Sequence, residues 1–195
     1  MNIPNQLTLL RIVLSVIFVI VLSVDMANAY LWALIIFAIA SITDFLDGHL
    51  ARKWNLVTDF GKLMDPLADK ILVAAALVLM VQHQDASGAP LLPAWFVIVI
   101  LFREFLVTGV RMLALSSKTV IAADGWGKLK TIFQIVLICV ILAERATVVD
   151  LGIDLSIAEP FLGYAIDGLF WVVLALTVYS GAGYFKGFLK TAEFK

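Results

Sequence analysis

Cysteine, histidine and charge are all scarce in this chain. Among 195 residues there is one cysteine and there are two histidines. The single cysteine, Cys139, sits inside an apolar run, so an intrachain disulfide is excluded. Charged residues make up 15% of the chain, against roughly 25% in an ordinary soluble domain. The net charge of −1 gives no sign of nucleic-acid binding, and no such partner is expected. The opening "MNIPNQLTLLRI" has neither a basic leader nor a small-residue cleavage site. The first apolar segment is therefore expected to be retained rather than removed as a signal peptide. There is no internal repeat and no low-complexity tract.

What fills the chain is hydrocarbon. Hydrophobic types reach 63% and the mean hydropathy is +1.03. This composition predicts an all-α integral membrane protein, read here as a single domain over residues 1–195. Six apolar stretches stand out, at 12–24, 31–42, 71–82, 91–102, 132–143 and 161–180. Several are shorter than the roughly 20 residues needed to cross a bilayer. Six short stretches with short links predict six transmembrane helices, each recruiting polar residues at one end. Those polar ends should face a shared cavity, because charge facing lipid is costly. Lysine and arginine set the orientation. They fall near the N-terminus, in the second and fourth links and in the tail "YFKGFLKTAEFK"; the outer links hold only Arg145. Both termini and the cavity are thus expected on the cytoplasmic side. "DASGAPLLP" reads as an outer turn and "SSKTVIAADGWGK" as an inner loop.

One inner link is unlike the rest. "TDFLDGHLARKWNLVTDFGKLMDPLADK" carries Asp44, Asp47, Asp59, Asp65 and Asp69 against four cations. Asp44 and Asp47 are spaced i, i+3, and Asp65 and Asp69 i, i+4, so each pair shares a helix face. On neighbouring helices the four carboxylates converge. Unneutralised, they would repel strongly in a low-dielectric site. Two divalent cations supply the missing charge, and hard oxygen ligands favour magnesium, manganese or calcium over zinc. Taken singly the residues also fit plainer roles. Asp65 before Pro66 looks like a helix N-cap. Asp59 looks like a solvated loop residue. Gly48 and Gly61 look like helix-end glycines, and Arg52 and Lys53 like interfacial anchors.

The full pattern is Asp44-x2-Asp47-Gly48-x2-Ala51-Arg52-x8-Gly61-x3-Asp65-x3-Asp69. It resembles, at all eight positions, the signature of the CDP-alcohol phosphatidyltransferases. "NIPNQLTLLRI", "REFLVTGVRMLA" and "GKLKT" are further similar to the branch that makes phosphatidylglycerophosphate. The resemblance implies six membrane helices, a cytoplasm-facing site, usually a homodimer, and a multi-pass place in the bacterial inner membrane. It implies transfer of a phosphatidyl group from CDP-diacylglycerol to an alcohol, here glycerol 3-phosphate, with release of CMP. By the same resemblance Asp44, Asp47 and Asp65 ligate two cations, Mg2+ or Mn2+. Asp69 borders the second cation and serves as general base. Small side chains at Gly48, Ala51 and Gly61 leave room for CDP, and Arg52 lies near it. Asn5 and Thr8, about one turn apart, fit nucleotide contacts and N-terminal caps equally well.

A phosphorylated acceptor needs a basic pocket. Arg103 and Arg111, eight apart, are separated by about 80° on a helix. Lys128 and Lys130 open the fifth segment on the same side. These four are the candidate phosphate ligands. Glu104 and Arg111, seven apart, also suit a pair with each other. Lys118, Lys186 and Lys190 read as solvated anchors. Three rival functions fit parts of the pattern. An intramembrane prenyltransferase also uses Asp clusters with magnesium, but would need two separate Asp-rich motifs and more spans. A second is a transferase of the same family acting on an inositol phosphate, phosphatidylglycerol or serine; the basic set argues against the last two. The third is a divalent-cation transporter, which would carry acids at mid-membrane, whereas here they gather at one face.

Overall fold

A computed structural model describes the backbone of residues 3–54, 59–85, 87–116 and 125–192. It describes their side chains except those of 3–5, 44–54, 59–67, 69, 111–116 and 186–192. The described residues form six α-helices and no strand beyond a single bridge between Gln84 and Pro90. The helices are α1 (Ile3–Ser23), α2 (Ala29–Trp54), α3 (Asp59–Gln82), α4 (Ala94–Ser116), α5 (Gly125–Arg145) and α6 (Glu159–Ala192). A π-helical turn, Ala146–Asp150, extends α5. Contacts divide the chain into two compact units. One is Met1–Leu91 with Ile138–Pro160; the other is Leu92–Leu137 with Phe161–Lys195.

Each apolar stretch coincides with a helix for most of its length, though 91–102 begins three residues before α4, and several helices run on through the polar ends. α2 continues past Thr43 to Trp54, about 39 Å in all at 1.5 Å per residue. The tail also joins a helix: α6 continues to Ala192. By length and composition, three segments can cross a membrane among the described residues: Gln6–Ser23, Gly125–Asp150 and Glu159–Phe185. Among the described residues α2 and α3 contribute shorter apolar pieces, Ala29–Thr43 and Lys70–Gln82.

Local chemistry sets the helix ends. α4 starts after Pro93, whose carbonyl accepts from Phe96 N–H at 3.0 Å. Glu159 and Pro160 open α6, an acid and a proline where the helix dipole and the fixed φ favour them. Asn28 turns the chain between α1 and α2 at φ 59°, a conformation asparagine tolerates better than most residues. The outer turn is built on Asp85. Its Oδ1 accepts from Ser87 N–H, Ser87 O–H and Ala89 N–H at 2.8, 2.6 and 3.0 Å. The Ser87 hydroxyl, first among these donors, holds the Asp85 carboxyl below its usual pKa.

In the first unit α1 packs on both α2 and α3, and α2 touches α3. The buried face of α2 is small or aromatic: Ala33, Phe37 and Ala40 are wholly buried. Phe37 meets Phe18 of α1 with ring centroids 5.8 Å apart. The opposite face carries Trp32, Ile35, Ile39 and Ile42, all exposed. Large apolar side chains outside and small ones inside is the reverse of a soluble helix. It suits helices that approach closely while lipid wets their outer faces. At the far end of this unit, polar groups are tied off. His83 Nε2 donates to the Leu22 carbonyl at 3.0 Å, which leaves Nδ1 of the neutral ring to accept from Tyr30 O–H at 2.9 Å. Leu31 N–H donates to Asp150 Oδ2 at 2.7 Å. In the second unit Phe96 stacks on Phe170 at 4.2 Å, with Trp95 edge-on to Phe170 at 5.7 Å.

Ala40→Leu is expected to destabilise the protein in detergent by about 1–3 kcal/mol through overpacking. Ile39→Leu, on the exposed face, should change stability by less than about 0.5 kcal/mol. Unfolding curves of the two variants beside wild type check the pair.

Candidate active site

The aspartate pairs lie toward the linked ends of two helices that touch. Asp44 sits ten residues before the end of α2, and Asp69 ten residues after the start of α3, each about 15 Å along its helix. Asp47 and Asp65 are seven and six residues from the same ends, about 10 Å. A link of four residues joins the ends. The backbone also decides between readings that the sequence leaves open. α3 begins at Asp59, so Asp65 and Pro66 lie inside the helix, and Asp65 is not an N-cap. Asp59 is not a loop residue but the first residue of α3, where an acid suits the dipole. Gly48 lies within α2, six residues from its end, and Gly61 lies in the first turn of α3. The side chains of Asp44, Asp47, Ala51, Arg52, Asp65, Asp69, Asn5 and Arg111 are outside the described set; so are the surroundings of Gly48 and Gly61. Among the described residues no group of three acidic, histidine or cysteine side chains is placed to hold a metal.

α1 presents a polar stripe that sequence reading recognised only at its start. Thr8 is almost completely buried and lies in the second turn of α1, so it is not a cap. Arg11 and Ser15 follow at i+3 and i+7, equally buried, before Phe18. Ser15 O–H donates to the Arg11 carbonyl at 2.8 Å. The signal was present in sequence: three polar residues of an apolar helix share one face.

The second unit holds the clearest polar cluster. Lys130 Nζ donates to Glu104 Oε1 at 2.7 Å, and Arg103 Nη1 donates to the same oxygen at 3.0 Å. Arg103 Nη2 donates to Ser180 Oγ at 2.9 Å. The Ser180 proton goes to the Leu176 carbonyl at 2.6 Å, which frees the oxygen to accept. The guanidinium lies 5.8 Å from the centroid of the Tyr184 ring, within cation–π range. Two glycines make the space: a Cβ on Gly181 would meet Arg103 Cγ at 3.1 Å, and one on Gly127 would meet Nη2 at 3.3 Å. Arg103 Nε is buried and meets no acceptor, and Gln134 Nε2 likewise. Of the predicted acceptor ligands, then, Arg103 and Lys130 are brought together. Lys128 is exposed. Lys130 is buried, with its side chain 1% exposed. Glu104 bonds to these two cations; its pairing with Arg111, which the spacing also suits, falls on a side chain outside the described set.

The model of the CDP-alcohol phosphatidyltransferase family matches residues 1–179. The chain belongs to that family. It is 42% identical over 197 residues to a CDP-diacylglycerol–glycerol-3-phosphate 3-phosphatidyltransferase of Bacillus subtilis, covering 95% of this chain and 94% of the relative. A protein of the same name from Rickettsia bellii is 34% identical over 95% of this chain and 94% of its own length. Another, from Salmonella paratyphi A, is 38% identical over 92% and 90%. The match to the family model includes the aspartates of α2 and α3 and the ionic cluster of α4 and α5.

Gly181→Ala tests how firmly Arg103 is held. A glycine-to-alanine change inside a helix usually stabilises, by about 0.4–1 kcal/mol. Here the new methyl presses on a side chain pinned by Glu104, Ser180 and Tyr184. The variant is expected to melt at a lower temperature than wild type in detergent. Gly183→Ala, whose Cβ would meet nothing within 4 Å, should melt at the same or a higher temperature.

Proposed function

We propose that this chain transfers the phosphatidyl group of CDP-diacylglycerol to glycerol 3-phosphate, forming phosphatidylglycerophosphate and releasing CMP. The observation that carries the reading is similarity along nearly the whole chain to relatives named for that activity, in a sequence that keeps all eight positions of the aspartate signature.

The residues present fit two divalent cations. The donor set is all carboxylate, with no thiol or imidazole among the four, and the two pairs lie on helices that touch. Asp44, Asp47 and Asp65 would hold the cations, with Asp69 bordering the second. When bound, Mg2+ or Mn2+ neutralises the diphosphate of the donor and the charge that develops on it. The rest is the work of the chain. Asp69 takes the proton from the attacking hydroxyl of the acceptor. The new bond joins that oxygen to the lipid phosphorus, and the bond between that phosphorus and the CMP oxygen breaks. Gly48, Ala51 and Gly61 leave room for the nucleotide, with Arg52, Asn5 and Thr8 as its polar contacts. Arg103, Arg111, Lys128 and Lys130 take the acceptor's phosphate, which would exclude an uncharged alcohol. The same reading places the chain in the bacterial inner membrane as a six-span homodimer, with termini and site on the cytoplasmic side.

Arg111→Ala is expected to raise the KM for glycerol 3-phosphate about tenfold to a hundredfold, the equivalent of about 1.5–3 kcal/mol for one charge-assisted contact. The KM for CDP-diacylglycerol should move far less. Lys118→Ala should change neither, and added salt should not mask the difference. Steady-state kinetics on the purified protein, with glycerol and an inositol phosphate as alternative acceptors, make the test. An unchanged acceptor KM in the Arg111 variant, or equal turnover with the alternatives, would refute the substrate assignment.

A further inference from the structure

Glu104 is an acid within the basic cluster of the second unit, and the proposed chemistry gives it no task. Its Oε1 lies 2.7 Å from Lys130 Nζ and 3.0 Å from Arg103 Nη1. Two cations this close to one oxygen repel each other, and burial raises the cost, because little water reaches them. Lys130 is 1% exposed and Arg103 10%. Without an anion between them, one would be driven outward or would shed its proton.

The surroundings are shaped for more than charge balance. A pair serving stability alone would be fully satisfied; this one is not. Arg103 has Nη1 committed to Glu104 and Nη2 to Ser180, yet its Nε is buried and meets no acceptor. Gln134 lies one turn along α5 from Lys130, about 6 Å at 1.5 Å per residue. Its Nε2 is also buried without an acceptor. A buried donor left unsatisfied is costly to keep. Two such donors on the helices that carry the two cations suit an oxygen-rich anion. Glu104 brings one negative charge to Arg103 and Lys130 together.

We propose that Glu104 is a positioning residue of the acceptor site: it holds Lys130 and Arg103 side by side so that together they engage the phosphate monoester of the acceptor. This rests on the reading that the acceptor is glycerol 3-phosphate. Glu104 touches neither substrate nor the reacting atoms. It acts through the two cations, and its loss should appear in acceptor binding before it appears in donor binding.

The test uses the full-length protein in detergent micelles with CDP-diacylglycerol, glycerol 3-phosphate and a divalent cation. Wild-type turnover is measured first; if glycerol 3-phosphate is not used, the substrate reading fails and this proposal with it. If it is used, Glu104→Gln should raise the KM for glycerol 3-phosphate about tenfold and leave the KM for CDP-diacylglycerol within about twofold. Glu104→Asp keeps the charge and should recover part of the loss; it also serves if the glutamine variant does not fold. In a Lys130→Met background the effect of Glu104→Gln should shrink, because the two residues act as one unit. A purely structural carboxylate would instead lower the melting temperature and shift both KM values alike. That result, or a fall in the acceptor KM on removing the charge, would overturn the proposal while leaving the substrate reading intact.

Discussion

Charge drawn into an apolar, poorly hydrated environment must find a partner. A chain that is 63% hydrophobic has few places to hide an exception. Much of the described polar structure follows from that constraint. Arg145 Nε donates to the neighbouring Glu144 at 2.6 Å. Asp150 accepts the Leu31 amide, one of the donors a helix start leaves without an intrahelical partner. His83 bridges the last carbonyls of α1 and the first turn of α2. Glu104 joins Arg103 and Lys130. Each pairing lets an otherwise oily helix carry a polar group at the depth where the fold needs it.

The aspartates of α2 and α3 stand apart. With Asp59 the stretch sets five aspartates against four cations. The proposed reading supplies the balance as divalent cations, which a diphosphate substrate also needs. Of the small residues, Gly48 and Ala51 lie within α2 and Gly61 in the first turn of α3.

How much of this could be read from sequence depended on range. The aspartate spacing is local and repeats at helical period, so the helices that carry both pairs were legible. Helix extent was less so, because hydropathy marks where apolar residues stop and not where the backbone does. α2 therefore continues eleven residues past Thr43, and α3 begins before Asp65, with Pro66 in its interior. The Glu104 cluster was hardly legible. Glu104 meets Lys130 at a separation of 26 residues, and Arg103 meets Ser180 at 77. Only packing decides that Glu104 turns to those cations. Arg103 also depends on Gly127 and Gly181, glycines whose value lies in the side chain they leave room for. Arg11 and Ser15 were legible in principle, as polar residues in phase with Thr8 on an apolar helix.

The central claim is that the carboxylates of α2 and α3 form a cation-dependent site for phosphatidyl transfer. The most direct measurement is CMP release from CDP-diacylglycerol by the purified protein, with glycerol 3-phosphate present, as Mg2+ or Mn2+ is titrated. The account predicts saturable dependence on the cation, loss of release in EDTA, and no release by an Asp44→Asn variant that melts like wild type. Full turnover in EDTA, or wild-type turnover by that variant, would contradict it.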